Sequence, residues 1–251
     1  MARVRLDTLV VARRLAGSRE RARALILAGN VRVAGRVADK AGQLVAGDAE
    51  VTLVGPDHPY VGRGGVKLAH ALEAFGIDTA GRLALDIGAS TGGFTDVLLR
   101  AGAVKVVALD VGHGQIDWSL RSDPRVVVLE GVNARTLTPD ALPPGCRAFD
   151  LITIDVSFIS LRLVLPVVPA LLRPGADVVA LVKPQFEAGR GEVGRKGLVR
   201  DPRVHARVVE EVRAAADRVG LARVAETLSP ITGAQGNREY FLHLRAAAGH
   251  A

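Results

Sequence analysis

Five apolar stretches in the second half of the chain's first two thirds, and just beyond, each close on a polar residue: Asp86, Asp110, Asn133, Asp155 and Lys183. The types matter. A carboxylate can take an ammonium or both hydroxyls of a ribose, and a lysine can give up and recover a proton. Arginine, held above pKa 12, cannot do so in practice. Lys183 is notable because the chain prefers arginine: of 33 basic residues only Lys40, Lys67, Lys105, Lys183 and Lys196 are lysines. A lysine closing the run "VVALVK" is a candidate for proton chemistry. The competing reading is a strand-end lysine whose stem is covered and whose tip reaches water.

"LDIGASTGGFTD" surrounds the first of these residues. It sets Asp86 and Gly88 at the end of one apolar run, then Ser90, Gly92, Gly93 and Phe94 where a helix should begin. Glycines there allow close backbone approach to a ligand. The Gly-Lys-Ser/Thr ending of a phosphate loop is absent, and so is the G-x-G-x-x-G dinucleotide pattern. Asp110 follows Asp86 at the end of the next run, the position of a ribose-binding carboxylate. An amino acid ammonium on Asp86 and a ribose on Asp110, with no phosphate cradle, describe S-adenosylmethionine. An NAD site with an unusual loop, or a purely structural glycine turn, are the alternatives. The six histidines show no metal-ligand spacing with one another or with Cys146, so no metal is expected.

These residues need elements to position them. From residue 80 onward, strand-like runs alternate with helix-like segments such as 160–172 and 203–219. Continuous apolar strands of that kind predict a mostly parallel sheet covered on both faces, with ligands at the carboxyl ends of the strands. The expected fold class is therefore α/β: a Rossmann-like methyltransferase domain, a mostly parallel seven-stranded sheet, over residues 66–247.

A smaller basic module precedes it. Over residues 1–56, ten basic side chains face five acidic ones. "RLDTLVVARRLA" and "RERARALILAG" have helical apolar spacing, with Ser18 as an N-cap between them. The short strands "VRVAG" and "EVTLV" follow. This is a small α+β unit, expected to meet nucleic acid phosphates, although an arginine-rich solvated helix face has the same pattern. The Gly- and Pro-rich segment "GPDHPYVGRGG", 55–65, reads as linker, with the boundary between the two domains set over 57–65. The formal net charge of +7 fits a polyanionic partner. One cysteine permits no intrachain disulfide, and no apolar run reaches the roughly 18 residues of a spanning helix, so a cytoplasmic protein without stable membrane association is expected.

Two resemblances sharpen the reading. The first 50 or so residues resemble the S4 domain in the R-L-D start, the S-R before the second helix, and "AGNVRVAG". That likeness makes Arg3, Arg14, Arg19, Arg21 and Lys40, with Arg63 at the linker, the candidates for gripping an RNA backbone. The motifs "GRGGVKL", "LDIGASTGGFTD", "DVGHGQ", "DVSFISL", "VKPQFE" and "GNREYF" resemble, in order and over nearly the whole chain, the TlyA family, which joins an S4 domain to an FtsJ-like methyltransferase domain. The resemblance implies methylation of cytidine ribose 2′-hydroxyls in ribosomal RNA of the small, and also the large, subunit. It also implies a catalytic tetrad of Lys67, Asp155, Lys183 and Glu239. Tyr60 stands where the family has a tryptophan. Within such a tetrad Lys183 is the general base. Free lysine has a pKa near 10.4, so that role asks for surroundings that favour the neutral amine, such as burial and a second ammonium. The family also carries a hemolysin label, but with nine aromatic residues the chain offers no long basic amphipathic helix with aromatic anchors. A non-catalytic RNA-binding protein on the same fold is the remaining alternative, and the complete tetrad argues against it.

Overall fold

The computed structural model describes residues 3–53, 58–189, 191–233 and 236–246. The first part of the expected linker, 55–57, and the boundary at 247 lie outside the described residues.

The N-terminal module runs β1 (Arg3–Arg5), α1 (Leu6–Ala12), α2 (Arg19–Leu27), β2 (Val31–Val33), β3 (Arg36–Ala38), β4 (Leu44–Ala46) and β5 (Val51–Leu53). Three of these strands, β1, β3 and β4, are not among those expected from the sequence. The apolar spacing of the two helices is used as expected: Leu6, Leu9 and Val10 meet Ala22 and Ile26 over Val31, Ala38 and Val51. Ser18 Oγ accepts the Arg21 N–H and caps α2. α1 stops earlier than its pattern, because Arg14 takes a left-handed φ of 59°. Asp7 is fully buried in this small core. Hydrogen bonds from Arg5 outweigh its burial and, with Arg19, hold its pKa down to about 2.

The larger part begins with α3 (Gly64–Phe75), which starts inside the segment read as linker. It continues with β6 (Leu83–Ile87), α4 (Gly93–Arg100), β7 (Lys105–Asp110), α5 (Trp118–Arg121), β8 (Val126–Glu130), β9 (Phe149–Ile154), β10 (Leu172–Val182), α6 (Pro184–Glu187), α7 (Pro202–Arg218), β11 (Leu221–Leu228) and β12 (Tyr240–Ala246). All seven strands form one sheet in the order β11-β12-β10-β9-β6-β7-β8, and only β12 runs against the others. From β6 the chain winds outward through β7 and β8, then returns to the other side of β6 as β9. That reversal opens a crevice at the carboxyl ends of β6 and β9. β6 is buried along its whole length, as a strand covered on both faces must be.

The 160–172 segment is not an α-helix. It forms three consecutive 3-10 turns, Leu161–Leu163, Leu165–Val167 and Pro169–Leu171. Pro166 and Pro169 have no N–H to give to the carbonyls four residues back. The periodicity still does its packing work, because Leu161, Val164, Leu165, Val168 and Leu171 are all in the core.

Candidate active site

The loop from β6 to α4 is shaped by contacts with the rest of the chain. Gly88 has φ 88°, and a Cβ there would lie 2.6 Å from the Asp155 carbonyl oxygen. A Cβ on Gly93 would lie 2.9 Å from the Gly65 nitrogen, so the first turns of α3 and α4 touch backbone to backbone. The glycines expected to approach a ligand are thus also required by the protein's own chain. Their close packing sets Lys67, in the first turn of α3, beside the ends of β9 and β10.

Lys67 Nζ and Glu239 Oε2 form a 2.6 Å ion pair, with both side chains nearly enclosed. Glu239 immediately precedes β12, the neighbour of β10. Lys183, just after β10, forms a second 2.6 Å ion pair with Asp155 Oδ1 and donates to Ser157 Oγ at 2.8 Å. Burial pushes the Asp155 carboxyl up, but Lys183 and then Lys67 outweigh it and hold the pKa below the usual carboxylate value. Two lysines and two carboxylates from four separate elements are therefore brought together.

Lys67, Asp155 and Lys183 face the smaller of two adjoining cavities, and Asp155 faces both. The smaller, of about 210 Å³, is lined by Lys67, Asp155, Ser157, Lys183, Gly88, Ser90, Gly93, Phe94 and Arg63. The N-terminal module reaches it too, through Leu27, Gly29 and Asp39. The larger, of about 930 Å³, shares Gly88, Ser90, Asp155 and Ser157, and adds Asp110, Asn133, Gln185 and the apolar Ile87, Leu109, Val132 and Phe186. That volume falls in the range of about 300–1,000 Å³ typical of small-molecule sites. At its wall Gln185 Oε1 is buried without a hydrogen-bond partner among the described residues. An unpaired acceptor of this kind, beside an apolar floor, suits a ligand that carries both ring surface and N–H groups.

The expected site residues divide. Asp110 lines the larger cavity, and its two carboxylate oxygens accept the N–H groups of Ser90 (2.8 Å) and Gly112 (2.7 Å). It fastens two cavity loops as well as facing the cavity. Asn133 lies on the same wall, its Oδ1 taken by the Arg135 N–H. Gly92 caps the start of α4 and, like Glu239, lines neither cavity.

Asp86 differs from its expected placement. Its side chain is fully buried, accepts from Thr95 Oγ1 (2.7 Å) and Thr153 Oγ1 (3.0 Å), and lines neither cavity. Burial raises its pKa to about 7 despite those two hydroxyls. The folded state thus holds this proton more tightly than the unfolded chain, whose carboxyl titrates near 3.8. The stabilisation is complete below about 3.8 and is lost as pH rises through about 7. Asp86→Asn, which has no proton to lose, should have a higher urea midpoint than the native protein at pH 8. The gap should narrow at pH 5; an equal gap at both pH values would contradict the shift.

The RNA candidates are spread out. Arg3, Arg14 and Lys40 are exposed. Arg19 pairs with Asp7, and Arg21 with Asp117 across to the larger part (both 3.2 Å). Arg63 donates to the Thr232 carbonyl at the mouth of the smaller cavity. The sequence reading missed Ser157, Gln185 and Asp39. The first two sit in the motifs "DVSF" and "KPQF" and were overlooked beside their charged neighbours. Asp39 had no local signal.

A parallel sheet reversed only at β12, with joined cavities over the ends of β6, β7, β9 and β10 and a carboxylate closing β7, defines the class: a Rossmann-like methyltransferase fold preceded by a small α+β module. A family model described as FtsJ-like methyltransferase matches residues 60–246, and one described as S4 domain matches residues 4–51. The chain is 51% identical over 99% of its length to 16S/23S rRNA (cytidine-2′-O)-methyltransferase TlyA of Mycobacterium tuberculosis, covering 92% of that protein. It is 41% identical over 96% of its length to Hemolysin A of Brachyspira hyodysenteriae, covering 99% of it. Among solved structures, a protein described as a hemolysin from Streptococcus thermophilus superposes with a TM-score of 0.76 at 42% identity, over 99% of this chain and 90% of that one. The chain belongs to the TlyA family of S4-containing, FtsJ-like methyltransferases.

Proposed function

We propose that the chain transfers a methyl group from S-adenosylmethionine to the ribose 2′-hydroxyl of a cytidine in ribosomal RNA, acting in the cytoplasm on the small ribosomal subunit and also on the large one. The observation that carries the reading is the pair of enclosed ion pairs, Lys183–Asp155 and Lys67–Glu239, beside a small cavity that opens on a larger one. The relatives' substrates, as named, agree with it. The hemolysin-named relative matches over the same length, and among the described residues no helix is long and apolar enough to cross a membrane.

In this reading S-adenosylmethionine occupies the larger cavity and supplies a methyl group on a positively charged sulfur. Asp110 accepts from its ribose, Gln185 Oε1 takes an N–H, and Ile87, Leu109, Val132 and Phe186 cover its ring. The target ribose enters the smaller cavity. Lys183 accepts the 2′-hydroxyl proton as the oxygen becomes a nucleophile, work worth about 10²–10⁴ in rate. Asp155 orients Lys183 and balances its charge once protonated. Lys67, fixed by Glu239, supplies a second positive charge near the developing oxyanion. Arg3, Arg14, Arg19, Arg21 and Lys40 of the S4 module, with Arg63, hold RNA phosphates and set its register. Tritium from labelled S-adenosylmethionine should appear in purified ribosomal subunits, at a cytidine 2′-oxygen when the digested RNA is read by mass spectrometry. Label at a base, or none, overturns the proposal.

Asp110 gives a separable test. Asp110→Ala removes a charged acceptor and frees two loops. Hydrogen bonds to charged groups are worth about 1.5–3 kcal/mol, so the dissociation constant for S-adenosylmethionine should rise at least about tenfold, measured by calorimetry. Subunit binding should be unchanged. An unaltered cofactor affinity would move the ribose elsewhere.

A further inference from the structure

Lys183 Nζ has two partners among the described residues, Asp155 Oδ1 at 2.6 Å and Ser157 Oγ at 2.8 Å. All three residues line the smaller cavity. A neutral amine has two N–H bonds and one lone pair, directed to three tetrahedral positions. Turning about the Cε–Nζ bond can send the lone pair to any of the three. Only one is useful to an incoming hydroxyl. Asp155 draws an N–H by charge, but its Oδ1 makes no aligned hydrogen bond among the described residues, so alone it leaves at least two arrangements open. A second acceptor removes that freedom.

We propose that Ser157 is a positioning residue for Lys183: its hydroxyl accepts the second N–H, so that the remaining direction, which meets no protein partner among the described residues, is where the lone pair points. The inference rests on the base role proposed above for Lys183. It also explains the fastening of this loop. Glu187, 4% exposed at the end of α6, accepts Ser160 Oγ (2.5 Å) and the Leu161 N–H (2.7 Å), and pairs with Arg162 (3.3 Å). α6 begins directly after Lys183, so base and acceptor are tied to the same short helix. Phe158, next to Ser157, takes a left-handed φ of 65° and, although 92% exposed, lays its ring 5.2 Å from that of Phe186 of α6.

The test compares Ser157→Ala, Ser157→Thr and Lys183→Arg in the full-length protein, by single-turnover methyl transfer to saturating subunits. Subunit KM, S-adenosylmethionine affinity and Tm are read alongside. Misalignment of a reacting group costs roughly 10–100-fold, so Ser157→Ala should lose about that much in rate with KM, cofactor affinity and Tm unchanged. Ser157→Thr keeps the hydroxyl and should recover most of the native rate. Should alanine lower Tm, the threonine variant decides: a native Tm with a rate as low as alanine's overturns the proposal. A native or faster rate for Ser157→Ala also overturns it, because the hydroxyl would then only fill the place of the substrate's. The two readings fail separately. An active Lys183→Arg ends the base role itself, whereas an inactive Lys183→Arg beside a native Ser157→Ala ends only the positioning role.

Discussion

Lys183→Arg should fold, bind S-adenosylmethionine and bind subunits as the native protein does, yet lose methyl transfer by about 10²–10⁴, the usual worth of a general base. The substitution keeps a long stem and a positive charge beside Asp155, with which Lys183 pairs at 2.6 Å. What it removes is the capacity to be neutral at working pH, since a guanidinium does not give up its proton in proteins. A lysine that only anchored a phosphate or steadied a developing charge would be replaced by arginine with much of the activity intact. Single-turnover transfer from pH 6 to 10 separates the two. The native rate should rise with pH as more of the amine becomes neutral, and the variant should stay flat near zero. A variant within about fivefold of native, a barrier change of only about 1 kcal/mol, would remove Lys183 from proton transfer.

Glu239→Ala should be the most destabilising change in the site, at about 3–5 kcal/mol, the cost of removing one partner from a buried ion pair. Its carboxylate is 2% exposed and Lys67 only 11%, so the abandoned ammonium has little access to water. Calorimetric or urea unfolding measures the loss. The double variant Lys67→Met/Glu239→Leu removes both charges and should recover most of the stability, because an apolar pair of similar volume avoids the cost of desolvating the ions. Its methyl transfer should remain absent if Lys67 acts in the reaction. Glu239→Ala at native stability would mean that Lys67 swings out to solvent. A double variant with native transfer would leave the pair a purely structural role.

Much of this architecture is legible in the chain. The predominantly apolar β6, β9 and the second half of β10 require a sheet covered on both faces, and such sheets bind at their carboxyl ends. That alone directs attention to Asp110, Asp155 and Lys183. The charge excess of the first 56 residues and the helical spacing around Ser18 likewise follow from local order. Periodicity failed where it recorded burial without recording backbone hydrogen bonds: 160–172 is spaced like a helix, but two prolines leave it in 3-10 turns.

Local order specifies which residues close the strands and which faces are apolar, because side-chain spacing reports burial within one element. The pairings came only with tertiary structure. Lys67 and Glu239 are 172 residues apart and meet because α3 packs on α4 while β12 returns beside β10. Asp86 and Asp110 each close an apolar run in the sequence, yet Asp86 lies one residue inside β6, level with Ala108 of β7, whereas Asp110 ends β7 and faces a cavity. At that inner level Thr95 and Thr153, hydroxyls from α4 and β9, converge on Asp86 and it is fully buried. Leu27 and Asp39 reach the smaller cavity because the N-terminal module lies against its mouth. Burial, ion pairing and access to a cavity depend on what other segments bring within a few ångströms, and one-dimensional order does not carry that distance.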